Sequence, residues 1–479
     1  MPGGSANAHV HKTSFRKSLP GKESSRKRRI HTHWIMVSFG TASRYTWKIT
    51  GPAYTITDDQ DGPTNDKKAV SPVTREQTKQ DASCALARVF RVRPRHVKKI
   101  LFAFGTRPEA IKLAPLILQM REQSGDFSVR VCVTGQHREL LDQMLVLFGI
   151  KPDHDLNLMR PGQSLAGLTG AILERLPDLI KEEKPDLVLV QGDTTTAFVA
   201  GLSAYYAQVP VGHVEAGLRT GNMLSPFPEE ANRRLLGVLA DIHFAPTERA
   251  RANLISENVL PQRIHVTGNT GIDALFHVLD RLDKDRELER GISGQFPFLD
   301  PRRRLILVTG HRRENFGEGI DRICEALKSI AEKDQGVEIV WPIHLNPNVR
   351  ESARRALGAG RPENGRIRLI EPVDYVPFVY LMKHAHFIIT DSGGIQEEAP
   401  ALGKPVLVMR DVTERPEGVW AKTVKLVGTG RGKIFQEIKE LLENPVSYQA
   451  MAQARNPYGD GQAAQRIVEI IEQVLNYPV

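Results

Sequence analysis

A chain of 479 residues is too long for one ordinary core and suits two or three domains. Its 41% hydrophobic and 25% charged residues are those of a globular, water-soluble protein, and no uninterrupted apolar run reaches the ~18–20 residues of a membrane span. The net charge of +9 is confined to the start: residues 1–97 carry 18 Lys or Arg against 7 Asp or Glu, a net of +11, and the rest carry 47 against 49. Nucleic-acid binding by the whole protein is therefore not expected.

Residues 1–97 are rich in Ser, Gly, Pro, Thr, Lys and Arg and read as a disordered basic extension. It has no apolar stretch of the secretory kind. "KESSRKRR" (22–29) is either a solvated basic tail or a nucleic-acid or membrane-surface patch. A further reading is a translation start at Val97, where "VKKILFAFG" begins, with 1–96 non-native. Cys84, Cys132 and Cys324 have no CxxC spacing, so neither a disulfide framework nor a zinc site is implied, and a reducing, cytoplasmic setting is expected.

From Lys98 onward short apolar runs alternate with helical patterns, as in a parallel α/β sheet. One series is "KILFAFG" (99–105), "VRVCVTG" (129–135), "DLVLVQGD" (186–193), "VPVGHVEA" (209–216), "DIHFAP" (241–246) and "IHVTGN" (264–269). A second is "RLILVTGH" (304–311), "VEIVWPIH" (337–344), "IRLIEP" (367–372), "HFIITDSG" (386–393), "PVLVMRD" (405–411) and "TVKLVG" (423–428). Such runs fit strands buried on both faces. The polar stretch 274–303 reads as an inter-domain crossover. The expected fold is α/β, with two Rossmann-like doubly wound domains, 98–270 and 271–459, facing a cleft, and a C-terminal helix within 460–479 packing back on the first.

Polar residues collect at the carboxyl ends of these runs, the edge at which open α/β sheets bind ligands. "FGTRPEAIK" (104–112) carries a capping box, Thr106 with Glu109, and places Arg107 and Lys112 at a helix N-terminus, where two cations suit a phosphate or a surface ion pair. Neither G-x-G-x-x-G after the first strand nor a P-loop is present. Asp193 in "QGDTTT" stands where a helix N-cap would. In "GHVEAGLRTGNMLSPFPEEANRR" (212–234), Glu215 follows a strand and Glu229 opens a helix; His213 and Glu215 share a face but lack a third metal ligand. His311 ends a strand before a glycine-containing loop, and Arg415 follows another.

"TDSGGIQEEA" (390–399) combines a backbone suited to an anion with two carboxylates. Ser392, Gly393 and Gly394 at a helix N-terminus can offer N–H groups to a diphosphate, and Glu398, one turn on, can accept from ribose hydroxyls. Phosphate beside sugar means a nucleotide.

"FGTRPEAIK", "QGDTTT", "VGHVEAGLRTG", "PEEANR", "TGHRREN", "HLNPNVRE", "TDSGGIQEEAP", "GKPVLV", "TERPEG" and "NPYGDG" together resemble the non-hydrolysing UDP-N-acetylglucosamine 2-epimerases over about 98–479. The resemblance implies a GT-B-like fold, UDP held mainly by the C-terminal domain, no metal or NAD, a homodimer, no membrane attachment, and supply of UDP-N-acetylmannosamine for surface polysaccharide. It places the catalytic acids on Asp193, Glu215 and Glu229 and the diphosphate histidine on His311. Nucleotide contacts fall on Arg107, Lys112, Phe378, Ser392, Gly393, Gly394, Glu398 and Arg415. A regulatory site for UDP-N-acetylglucosamine falls near Gln136 and His137, although an arginine of some relatives is replaced here, at Gly162. The C2–H of the sugar is not acidic, so inversion is expected to run by loss of UDP to a 2-acetamidoglucal and re-addition. A GT-B glycosyltransferase and a hydrolysing epimerase are the rival readings, distinguished by an acceptor requirement and by accumulating UDP.

Overall fold

The computed structural model describes residues 36–41, 44–49, 97–135, 138–160, 162–310, 312, 315–343, 346–357 and 365–476. By contacts the chain forms two units, 1–91 and 92–479. In the first, β1 (Met36–Thr41) and β2 (Arg44–Ile49) pair antiparallel; the rest of the basic extension lies outside the described residues. Everything below concerns the second unit.

Two parallel sheets form it. The first runs in the order β5 (His154–Asp155), β4 (Phe127–Val133), β3 (Lys98–Phe104), β6 (Leu187–Gln191), β7 (Val211–Val214), β8 (Ile242–Ala245), β9 (Ile264–Val266). The second runs β12 (Ile367–Ile370), β11 (Val337–Pro342), β10 (Arg304–Thr309), β13 (Ala385–Thr390), β14 (Val406–Val408), β15 (Val424–Leu426). All twelve predicted runs are strands; only the two-residue β5 carried no sequence signal, because an edge strand needs no apolar run.

Alternation along each strand explains why the runs are apolar throughout. In β3, Ile100, Phe102 and Phe104 enter one hydrophobic cluster, and Leu101 and Ala103 enter another on the opposite face. In β10, Leu305 and Leu307 join the first of these clusters, while Ile306 and Val308 face a third. With helices on both faces, both side-chain sets are removed from water. The cluster shared by β3 and β10 is continuous across the two sheets.

The stretch expected as a polar crossover is mostly helical. Thr270–Lys284 and Arg286–Ser293 are helices, and Ala274, Leu275, Val278 and Leu282 are buried in the shared cluster. Their four-residue periodicity was masked by the charged face opposite, and a buried Leu or Val contributes ~1.5–3 kcal/mol. The helix Ala463–Asn476 packs on Arg107–Glu122 and Thr270–Lys284, burying Ile467 and Ile471. Among the described residues no helix is long and apolar enough to cross a membrane.

In each sheet the strand order reverses beside the first strand: β4 and β6 flank β3, and β11 and β13 flank β10. Loops leaving the carboxyl ends there diverge and leave a crevice. The loop after β3 leads to Arg107 at a helix start, that after β6 carries Asp193, and that after β13 carries Ser392, with Gly393 and Gly394 opening the next helix.

Candidate active site

Glu109 joins the two loops of the first crevice. Its Oε2 accepts from the N–H groups of Gly105 (3.1 Å) and Thr106 (2.8 Å) and from Thr106 Oγ1 (2.8 Å), closing the capping box foreseen from sequence. Its Oε1 accepts from Thr194 Oγ1 at 2.7 Å, across 85 residues of chain. Burial pushes this carboxyl up to about 6 against those hydrogen bonds. Thr194, not Asp193, is the N-cap of Thr195–Tyr206: its Oγ1 accepts from Ala197 N at 3.0 Å. A capping hydroxyl one residue on leaves the Asp193 carboxylate free to turn into the cleft.

Asp193 pairs there with Arg233 of the helix Glu229–Leu239, and its carbonyl accepts from Asn232 Nδ2 at 3.0 Å. Burial raises the Asp193 pKa, Arg233 opposes the rise and Glu215 adds to it. Glu215 leaves β7 with φ +64°, a left-handed conformation uncommon for a non-glycine residue. That turn overrides the strand alternation expected to put it on one face with His213. His213 is buried with Nε2 2.7 Å from Gly192 O.

Lys112 Nζ lies 2.5 Å from Glu215 Oε1. Gln191 Nε2 donates to Glu215 Oε2, and Asn269 Nδ2 to Oε1 at 3.3 Å. Burial works against the Glu215 carboxylate, but Lys112 overrides it and holds the group below its ordinary pKa. Lys112, expected beside a phosphate, is thus committed to a carboxylate. Glu229 Oε2 is buried without a hydrogen-bond partner. Asp193, Glu215 and Glu229 line one cavity of about 370 Å³ with Arg233, Arg312 and Glu414.

Across the cleft, Arg415 pairs with Glu397 and, at 3.2 Å, with Glu414; its carbonyl accepts from Tyr458 Oη at 3.0 Å. The guanidinium packs on Gly393, where a Cβ would collide with it, so the glycine makes room for the paired Arg415 side chain. Burial would lower the Arg415 pKa, yet Glu397 and Glu414 raise it. Ser392 caps the helix Gly393–Glu398, and Ser392 N donates to Thr390 Oγ1 at 3.0 Å.

A second cavity of about 580 Å³ adjoins the first. Arg107, Phe378 and Glu398 line it, and Lys112, Ser392, Gly394 and Arg415 line both. Burial, then the neighbouring Glu397, push Glu398 up to about 8, so near neutrality the side chain is a carboxylic acid and not the expected carboxylate. The structure therefore gathers eleven of the fourteen residues singled out in the sequence. His311, Gln136 and His137 lie outside the described residues. Sequence reading missed Gln191, Arg233 and Asn269 and noted the Glu397 carboxylate without a role; for Arg233 a signal existed, four residues after Glu229 and so on one helix face with it. Among the described residues no three His, Cys, Asp or Glu side chains converge as a metal cage.

Comparison with known proteins bears on these paired cavities. A sequence-family model described as UDP-N-acetylglucosamine 2-epimerase matches residues 119–472. The UDP-N-acetylglucosamine 2-epimerase of Escherichia coli (strain K12) is 56% identical over 374 residues, covering 78% of this chain and 98% of its own. A crystal structure of UDP-GlcNAc 2-epimerase from Neisseria meningitidis bound to UDP-GlcNAc is 52% identical with a TM-score of 0.71, covering 78% of this chain and 99% of that one. A glycosyltransferase from Rickettsia africae, 14% identical with a TM-score of 0.54 over 80% of this chain and 100% of its own, shares the fold alone. Two parallel α/β sheets of GT-B type meeting at two adjoining cavities, and a match over most of the chain, agree: the chain belongs to the UDP-N-acetylglucosamine 2-epimerase family.

Proposed function

We propose that the protein interconverts UDP-N-acetylglucosamine and UDP-N-acetylmannosamine by inverting C2 of the sugar, without net release of UDP. The observation that carries this reading is the pair of adjoining cavities: one lined by three carboxylates, the other by Arg107, Phe378 and Glu398, with Lys112 and Arg415 between them. UDP occupies the larger cavity, its base against Phe378 and its ribose at Glu398. The sugar projects into the smaller one. The Neisseria relative binds UDP-GlcNAc, and the size and charge of this cleft suit the same ligand.

A carboxylate takes the C2 proton while the C1–O bond breaks. The electron pair of C2–H becomes the C1=C2 bond of 2-acetamidoglucal, and the C1–O pair leaves with UDP. Arg415 and Arg107 stabilise charge on the departing diphosphate, with His311 added by the family resemblance. In the return step the diphosphate oxygen attacks C1, and C2 takes a proton on the opposite face from a second acid. Glu215, held ionised by Lys112, suits the base, and Asp193, raised by burial, suits the acid. Glu229 supplies a third carboxylate, its Oε2 free of protein partners. The reading includes a homodimer, turnover without added metal or NAD, and a product for surface polysaccharide synthesis.

A proton NMR time course with UDP-N-acetylglucosamine in D₂O tests it. Both epimers should appear with deuterium at C2. Retention of the C2 hydrogen during epimerisation would rule out the mechanism, and accumulating free UDP would point to hydrolysis.

A further inference from the structure

We infer that Asn269 is a positioning residue for this reaction: its side-chain amide bridges Glu215 of the first sheet's crevice and Glu397, the partner of Arg415, in the second. The inference rests on the functional reading above. Three of the four hydrogen-bonding capacities of this one side chain are used, each by a different element. Oδ1 accepts from Gly271 N at 2.8 Å and caps the helix Thr270–Lys284. The two hydrogens of Nδ2 go to Glu215 Oε1 at 3.3 Å and to Glu397 Oε2. Asn269 is 3% exposed, so little water is available to substitute.

The backbone around it is held as closely. Asn269 N donates to Tyr458 O at 2.7 Å; Tyr458 Oη donates to Arg415 O at 3.0 Å; Asn456 Nδ2 donates to Glu397 O at 2.9 Å. The segment 456–458 thus fixes Asn269, Glu397 and Arg415 to one another. Lys112–Glu215–Asn269–Glu397–Arg415 is then a continuous chain of alternating donors and acceptors across the cleft. Its ends are the two cations shared by both cavities.

Asparagine alone suits the position. Aspartate caps equally well but would add a third carboxylate between two. Serine caps but cannot reach both acids, and glutamine is too long to cap. Without the amide, two buried carboxylates face each other with no donor between them, and Glu215 is released from the orientation it needs toward C2–H.

Asn269→Ser and Asn269→Asp both keep the cap and remove the bridging donor. In the full-length protein each should lower kcat for C2 exchange, by at least about 10-fold for Ser and more for Asp, with KM and the Kd for UDP changed less than about threefold. Tm should stay within a few degrees of the parent because the cap persists. A readout independent of turnover is carbon-13 NMR of the side-chain carboxyls, with Glu215 assigned through Glu215→Gln. Glu215 is faced by Lys112, Arg415, Arg233, Asp193 and, through the amide, Glu397. Loss of the donor should move its titration upward by at least about half a pH unit. Unchanged kcat, a raised KM at unchanged kcat, loss of folded protein in both variants, or an unmoved Glu215 titration would overturn the inference. Parent protein that leaves C2–H unexchanged would count against the functional reading, and the Glu215 titration would still decide the role of Asn269.

Discussion

The two walls of the cleft handle charge in opposite ways. On the first, Glu215 meets one cation, Lys112, and Asp193 meets Arg233, which also lies 3.4 Å from Glu230. The result is two acids of the same type displaced in opposite directions, Glu215 below its ordinary pKa and Asp193 above it. On the second wall Arg415 meets both Glu397 and Glu414, Glu414 also meets Arg312 and Arg410, and a third acid, Glu398, is left to burial and keeps its proton to about pH 8. One cation beside each buried acid displaces the two pKa values apart; a cluster of arginines and acids keeps the Arg415 fork fixed while a neighbouring acid stays neutral. Low dielectric makes both arrangements strong and makes the loss of any member costly.

The sharpest way to break the contrast is on the first wall. Glu215→Gln, Asp193→Asn and Glu229→Gln should each lower kcat by at least ~10²-fold, the scale of a lost general acid or base, with UDP affinity little changed. Deuterium incorporation at C2 measures the first and calorimetric titration with UDP the second. On the second wall the balance should reverse. Arg415→Ala should weaken UDP binding by ~10-fold or more and, by leaving Glu397 buried without its arginine, lower folding stability by roughly 3 kcal/mol in urea titration. Arg415→Lys should restore only part, because an ammonium lacks the fork.

Lys112→Met sharpens the comparison. It removes the cation that depresses Glu215, so the Glu215 pKa must rise and the acid limb of the kcat–pH profile must move to higher pH. An unmoved limb would separate Glu215 from the base role. The smallest effect on turnover belongs to Glu398, which acts on stability. Its folded pKa of about 8 lies above the ordinary 4.5, so its contribution to stability is complete below about pH 4.5 and is lost as pH rises through 8. Glu398→Gln should therefore flatten the fall of stability between pH 6 and 8 by about 2 kcal/mol, read by urea unfolding at each pH. Parallel curves for the two proteins would show that Glu398 ionises freely.

Much of the fold was legible because its signals are local. "ILFAF" within "KILFAFG" and "LILV" within "RLILVTGH" are apolar on both alternating sets since helices cover both faces, and the Thr106–Glu109 box is written within four residues. The helices of 270–293 were read as linker because Asp280, Arg281, Asp283 and Lys284 crowd the sequence beside Leu275, Val278 and Leu282. Composition averages over a helix, whereas burial depends on which face each residue occupies. The candidate site was legible for a topological reason: parallel strands bring all their carboxyl ends to one edge, so polar residues after successive strands must meet.

By itself the sequence determined the strands, the Thr106–Glu109 capping box, the confinement of the excess positive charge to the first 97 residues, and most of the acids and cations brought to the sheet edge. Only the tertiary structure decided which acid meets which cation. Arg233 reaches Asp193 across 40 residues of chain, Lys112 reaches Glu215 across 103, and Asn269 reaches Glu397 across 128. Coulomb energy and desolvation depend on distance and burial in space, and neither is a function of separation along the chain. That is why Lys112 could be read from sequence as a phosphate ligand and stands in the fold as the counter-ion that holds Glu215 ionised.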